Sequence, residues 1–474
     1  MIDTSETDRL APMSIVGLRD TISTVLEKMD DGYGAIVAVV DDGGCVTGIL
    51  SVGDLRRAIL NGRMRSTPVS EVMNRNPVTI TRAELESEET INEALADLRA
   101  LYPKDHMNVM VPVVDRERRP LGMIDLQSLL TRSPGNGISP RRRSVLVVGG
   151  AGFIGSVLIR KLLADNWAVR VLDLFLYGRE SLAGLEGDID IVEGDAKNID
   201  TLVNAVADVD AVVYLAELVG DPAVAQAPQT ALKTNYLAVT ALAQLCEYLN
   251  INRFVYTSSC SVYGASANPD EFLTELSETA PVSLYGKIKL MVEEAVLSIA
   301  SRPNQSFAPT ILRLGTVYGS SPRARFDLVV NTLVKHAASR GAIDLFGGEQ
   351  WRPHVHVGDV ARAIINVLDA PLESVRSEIF NVGDSDQNFT INALGDLVAE
   401  AFPELTVNRM NAEVDPRNYR VNCAKLRDIL GFEIETTVAA GVRELKAALE
   451  SGNLGDLDQP GYSNLLTVQD LAFE

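Results

Sequence analysis

Residues 144–163 read SVLVVGGAGFIGSVLIRKLL, and the fold follows from this stretch. A five-residue apolar run leads straight into glycines, and an amphipathic helical pattern follows them. Gly150, Gly152 and Gly155 satisfy G-x-G-x-x-G, and Gly149 extends the pattern to G-x-x-G-x-x-G. Glycine is required where the backbone turns tightly, where it approaches a pyrophosphate, and where a helix packs closely on a strand. The helix N-terminus then faces the phosphates. The next apolar run, AVRVLDLF, places Asp173 18 residues beyond Gly155. A carboxylate there suits the ribose hydroxyls of NAD and repels a 2′-phosphate, so NAD is expected rather than NADP.

Downstream the alternation continues. IDIVEGDAKN reads as a short strand ending at Asp195, DAVVYLAELVG as a buried strand with a small-residue loop, and RFVYTSSCSVYG as another strand. Such alternation predicts a doubly wound parallel sheet with helices on both faces. SLYGKIKL, residues 283–290, carries Tyr285 and Lys289 four apart, on one face of a helix.

The first half carries an internal repeat. VVDDGGCVTGILSVGDL, from Val39, matches VVDRERRPLGMIDLQSL, from Val113, aligning Asp41 with Asp115, Gly48 with Gly122 and Leu55 with Leu129. Each copy reads as strand, turn, strand and helix start, with a helix upstream around TISTVLEKM and TINEALADLRAL. Between the halves, SPGNGISPRRRS has linker composition. The expected organisation is 1–132 for the repeat pair, 133–143 for the linker, 144–460 for the dinucleotide fold and 461–474 for a tail that docks on a partner subunit or is disordered.

Composition narrows the function. A chain of 474 residues exceeds one core. A formal charge of −21 argues against a nucleic-acid partner, though not against a local basic pocket for a phosphate ligand. Cys45, Cys246, Cys260 and Cys423 are scattered, as reduced thiols are. His354 and His356 have no further ligands nearby, so no metal site is expected. An acidic N-terminus without an apolar h-region, and no run approaching about 18 apolar residues, predict neither a signal peptide nor a membrane span, hence a cytoplasmic protein.

The repeat resembles a tandem cystathionine-β-synthase (CBS) domain pair. That resemblance implies an adenine nucleotide held by Ser51 and Asp54 in GILSVGDL, a pair that also reads as a helix cap. The second copy has Asp125 and Ser128 at those places, which weakens a second site. Residues 144–450 resemble the extended short-chain dehydrogenases/reductases of the sugar-nucleotide epimerase/dehydratase branch, through GGAGFIG, YLAE, SSCSVYG, YGKIK, RLGTVYG and WRPHVHVGDVARA. This implies a Rossmann-type sheet with a small C-terminal substrate-binding subdomain. It implies NAD held by Gly149, Gly152, Phe153, Ile154, Gly155, Asp173, Asp195, Ala216, Tyr285 and Lys289.

The resemblance also assigns the chemistry. Tyr285 exchanges a proton with a sugar hydroxyl, Lys289 supplies positive charge that favours phenolate, and Ser259 bonds the reacting oxygen. Arg352 implies a diphosphate contact, Arg417 and Arg420 a looser one, and Asn331 and Asn235 substrate or fold-supporting contacts. His356 and Asp359 read as braces. Related 4,6-dehydratases carry an Asp-Glu pair after the Ser/Thr, where this chain has Cys260 and Ser261. Epimerisation of a nucleotide sugar through a keto intermediate, at C4, is therefore the expected reaction. Alternatives are a sugar-nucleotide reductase or dehydrogenase, a 4,6-dehydratase, and a non-enzymatic NAD and adenylate sensor. A homodimer or larger homo-oligomer is expected.

Overall fold

The computed structural model describes residues 142–471 apart from 267, 269, 303–306, 411–416 and 453–455; before these it describes chiefly 13–30, 36–51, most of 63–82 and 110–125. The chain divides into two compact units, Met1–Arg141 and Arg142–Glu474. The segment read as a linker lies outside the described residues up to 141, as do the second repeat's upstream helix and Ser128. No described helix is long and apolar enough to cross a membrane.

In the first unit the sequence repeat becomes a repeated sheet. Ser14–Gly17 pairs parallel with Ile36–Val40, which pairs antiparallel with Val46–Ser51. Ile80–Thr81, Met110–Val114 and Pro120–Asp125 repeat that arrangement. The registers coincide: Val39 faces Gly48 and Val113 faces Gly122, with the irregularity one residue later in both copies. Gly48 has a local reason to be glycine, since a Cβ there would lie 2.8 Å from the Asn74 carbonyl oxygen. The two hairpins touch at their tips, where Val46 N–H donates to the Arg118 carbonyl at 2.9 Å and Ala38, Val46 and Val114 share a small core.

The second unit is built on seven parallel strands. Their order is Ile379–Val382, Ala308–Leu314, Arg253–Ser259, Ala211–Tyr214, Ser144–Val148, Ala168–Asp173, Ile189–Glu193. The doubly wound expectation is met. The strand expected to end at Asp195 stops two residues earlier, at Glu193. Alternate residues of Ser144–Val148 feed opposite cores: Val145 and Val147 join one, Leu146 and Val148 the other. Both faces are thus covered, as a parallel sheet requires. The strand order reverses between Ser144–Val148 and Ala211–Tyr214, and ligands of such sheets bind beyond the carboxyl ends at that point.

A smaller subdomain follows. The helices Val329–Arg340, Ile391–Ala401 and Val438–Glu450 pack around Val330, Leu333, Leu345, Leu394 and Val442, beside the strand pair Ala342–Phe346 and Thr406–Met410. The described part of the C-terminal segment is ordered on its own chain, against the disordered expectation. Its helix Asn464–Leu471 returns to its own chain, where buried Asn464 accepts from Arg323 at 2.8 Å and donates to the Val219 carbonyl at 3.1 Å.

The main core also encloses a charge. Arg313 donates two nitrogens to Glu293 at 2.7 and 3.1 Å, with both side chains nearly fully buried. Ser258 donates to the same carboxylate, and Tyr263 accepts from Arg313 at 3.1 Å. Removing one partner of such a pair leaves the other uncompensated in a dry core. Glu293→Ala is therefore expected to cost about 3–5 kcal/mol, measured as a lower urea midpoint for unfolding of the second unit.

Candidate active site

A cleft of about 740 Å³ opens at the carboxyl ends of the central strands. The glycine loop forms its floor, with Gly149, Gly152, Phe153, Ile154 and Gly155 all lining it. Gly149 has φ +87°, and a Cβ there would lie 2.6 Å from Ala216 N, so the loop and the 215–217 segment are in backbone contact. Asp173 ends its strand with its carboxylate held by two backbone amides, Ala151 N–H and Phe175 N–H, each at 2.8 Å. Burial nonetheless pushes its pKa up, with those amides and Arg323 opposing the shift. Asp195 sits in a turn, accepting from Lys197 N–H at 2.9 Å, and does not line the cleft.

Tyr285 and Lys289 lie on the helix Leu284–Ala300, capped by Ser283, whose hydroxyl accepts from Gly286 N–H at 3.1 Å. Both line the cleft, as does Ser259 at the end of the strand Arg253–Ser259. Ser259 is the serine whose hydroxyl acts on the Tyr285 phenol, lowering its pKa, while its own proton goes to Ser261 Oγ at 3.1 Å. Strand alternation sends Ser258 instead to Glu293, while Ser261 N–H donates back to Ser259 Oγ at 3.1 Å. Cys260 is buried, with its thiol donating to the Arg313 carbonyl at 3.4 Å, and burial raises its pKa well above the usual thiol range.

The structure adds a group that the sequence reading did not place. Glu217, from the YLAE segment, is buried and forms an ion pair with Lys289. Its Oε1 accepts from the Tyr256 hydroxyl at 2.9 Å, and Lys289 Nζ also donates to the Thr257 carbonyl at 2.5 Å. Lys289 is therefore not the isolated ammonium that the Tyr-Lys spacing suggests. Tyr285 ionises well above its ordinary range, through burial first and then the Glu217 and Asp221 charges.

The polar wall opposite carries arginines. Arg352 lines the cleft, yet it is buried and donates to the Trp351 carbonyl at 2.7 Å and to the Arg417 carbonyl. Arg417 also lines it and is paired with Asp221, so the groups expected to meet a diphosphate are engaged within the protein. Arg420 stands apart, on Asp270 at 2.8 Å. Asn331 does not line the cleft: it accepts from Gly319 N–H at 3.0 Å and donates to the Gly319 and Arg325 carbonyls, bracing the 319–325 loop. The substrate-contact expectation for it is corrected, because its amide is committed to backbone. Asn235 braces likewise, with both amide atoms on the Leu218 backbone. His356 caps the helix Val357–Asp369, and Asp359 accepts from the Glu435 and Thr436 amides at 2.9 and 3.1 Å.

Arg323 and Arg325 were also missed. Both are buried and line the cleft; Arg323 stacks on the Tyr177 ring at 3.8 Å, and its Nε has no hydrogen-bond partner. Burial and the neighbouring Arg325 lower the Arg323 pKa to about 10. Their signal was present in SPRARFDLVVN, but surface arginines and buried ones read alike in sequence.

The model of the NAD dependent epimerase/dehydratase family matches residues 145–383. The chain belongs to that family. CBS domain models match 12–61 and 69–135. Among relatives, a UDP-glucose 4-epimerase of Corynebacterium glutamicum is 27% identical over 289 residues, 58% of this chain and 83% of its own. A UDP-glucuronic acid decarboxylase of Danio rerio is 23% identical over 64% of this chain and 72% of its own. Of solved structures, MoeE5 in complex with UDP-glucuronic acid and NAD is 28% identical with a TM-score of 0.58, covering 65% of this chain and 99% of that one.

NAD is the cofactor of this family, and the residues present fit it. The glycine loop leads into the helix Gly155–Ala164, the Asp173 carboxylate is tied to that loop through the Ala151 amide, and Arg323 Nε, unpartnered among the described residues, provides a buried donor in the cleft. Epimerases and decarboxylases both appear among the relatives, so membership establishes a sugar-nucleotide enzyme and leaves the reaction to the site itself.

Proposed function

We propose that the second unit is an NAD-dependent 4-epimerase of a nucleotide-activated sugar. The observation that carries this reading is the set Ser259, Tyr285 and Lys289 gathered on one cleft, with the two described carboxylates nearest the phenol, Glu217 and Asp221, each paired with a cation. Dehydration needs an acid and a base near the sugar. Here Cys260 is turned into the core and Glu217 is locked between Lys289 and Tyr256. NAD, when bound, supplies a hydride acceptor and a positive ring. Tyr285 takes the proton from the sugar hydroxyl and later returns it to the keto oxygen, while Ser259 orients that oxygen. Arg352 and Arg417, which line the cleft, use the donors left over from their contacts to backbone and Asp221 to meet the diphosphate, leaving the sugar to turn between the two half-reactions.

Incubation with UDP- and GDP-sugars, followed by NMR, tests the assignment. A mixture of C4 epimers without net NADH supports it. Stoichiometric NADH would instead identify a dehydrogenase, and no turnover of any sugar by NAD-loaded protein would count for a binding protein.

Two further readings belong to the proposal. In the first unit an adenine nucleotide binds at Ser51 and Asp54. These residues form a reciprocal cap, Ser51 Oγ donating to Asp54 Oδ2 at 2.7 Å and accepting from Asp54 N–H at 3.1 Å. Asp54→Ala is expected to weaken AMP, ADP or ATP binding at least tenfold, about 1.4 kcal/mol, by calorimetry. Wild-type protein that binds none of the three would end the regulatory reading. The second unit forms a homodimer through the adjoining helices Ala238–Tyr248 and Leu284–Ala300, where Leu237, Tyr248, Leu249 and Met291 are exposed.

A further inference from the structure

The Lys289–Glu217 pair calls for a reason beyond stability. Both side chains are almost wholly out of water. A buried pair is seldom more stabilising than an apolar one of the same volume. The two oxygens of Glu217 are occupied, one by Lys289 and one by the Tyr256 hydroxyl. That suits a fixed counter-charge rather than a group trading protons with substrate. Lys289 Nζ lies 5.7 Å from the centre of the Tyr285 ring, near enough for its charge to act on the phenol unless it is offset.

We propose that Glu217 is a positioning residue that holds the Lys289 ammonium and cancels its charge, so that Tyr285 keeps its proton until a cationic nicotinamide lies beside it. The proposal rests on the epimerase reading in one respect: Tyr285 must take a proton in one half-reaction and give it back in the other. An uncompensated ammonium favours phenolate in both halves and would slow the return. With Glu217 present, the proton on Tyr285 follows the charge of the cofactor, positive when oxidised and absent when reduced.

The other groups around the phenol are arranged in the same way. Lys289 comes from its own helix, Glu217 and Asp221 from the loop after Ala211–Tyr214, Tyr256 and the Ser259 hydroxyl from the neighbouring strand, and Arg325 from the 319–328 loop. The Glu217 charge also reaches Tyr214, whose hydroxyl donates to the Thr234 carbonyl at 3.0 Å. Asp221 is paired with Arg417, and Arg325 with Asp327 at 2.9 Å. Lys289, Arg417 and Arg325 thus each have a carboxylate. Burial, Glu217 and Asp221 raise the phenol's pKa, and Ser259 and Arg325 offset only part of that rise.

The test is the pH titration of tyrosinate absorbance in NAD-loaded protein, with the Tyr285 step isolated by subtracting Tyr285→Phe. Glu217→Gln keeps an acceptor for Tyr256 and removes the charge. It is expected to lower the Tyr285 midpoint by about one pH unit or more, a tenfold or larger rise in phenolate fraction below the midpoint. Glu217→Asp, which keeps the charge, is expected to titrate near wild type. An unchanged midpoint in Glu217→Gln overturns the proposal. A second comparison guards against a misfolded single variant. Lys289→Gln alone is expected to raise the midpoint, and Lys289→Gln/Glu217→Gln to bring it back towards wild type. Equal midpoints in those two proteins also overturn it. No sugar turnover is read, so a failed epimerase assignment and a failed charge-compensation proposal give different results.

Discussion

Tyr285→Phe is expected to lower kcat by about 10²–10⁴-fold, the range of a general acid–base contribution. The change deletes one oxygen and keeps the ring. Tyr285 sits on the first turn of a helix capped by Ser283, and its phenol faces the cleft beside Ser259, so no core is opened. NAD content and melting temperature should therefore stay near wild type while turnover, followed by NMR on a sugar that wild type converts, nearly disappears. In the wild type, epimerisation in either direction begins with Tyr285 as base, so activity should rise with pH, because the phenol is held above its ordinary range and only its ionised form accepts the proton. Retention of full kcat by Tyr285→Phe would move the base elsewhere and remove the epimerase mechanism as written.

The second large effect belongs to the glycine loop. A Cβ on Gly155 would lie 2.7 Å from Gly150 Cα and press on the Gly149 carbonyl oxygen. Both are backbone atoms and cannot swing aside, so Gly155→Ala must shift the loop itself. Overpacking of this kind costs about 1–3 kcal/mol, and the displaced loop no longer presents its amides to a pyrophosphate. Protein purified as Gly155→Ala should melt at a lower temperature and lack bound NAD by mass spectrometry. Gly187→Ala is the matched control, since no atom lies within 4 Å of a Cβ there. Wild-type NAD content in Gly155→Ala would mean that this loop is not the cofactor's cradle.

Much of this was legible before any coordinates. The strand–glycine–helix run at 144–163 and the acid at Asp173 are local signals, set by what a tight turn and a close phosphate approach permit. The repeat at Val39 and Val113 was legible because equal sequences make equal registers, down to the same irregularity. The polar residues were harder. Asn331 read as either a substrate contact or a fold support, and its amide is committed to backbone, because an amide's partners are chosen by the fold and not by its neighbours in sequence. The C-terminal stretch read as a docking or disordered tail, and Asn464 ties it to Arg323 and Val219 of its own chain.

Taken alone, the sequence determined the dinucleotide fold, the paired repeats ahead of it, and the Tyr285–Lys289 spacing, since each depends on residues within a turn or a strand of one another. Only the tertiary structure decided the charge around the phenol. Glu217 meets Lys289 across 72 residues and Asp221 meets Arg417 across 196, so both pairs form only once the sheet and the small subdomain have closed on the cleft, whereas Arg325 and Asp327 are near neighbours in the chain. Electrostatic energy depends on distance in space and on exclusion of water, and a linear order of residues specifies neither.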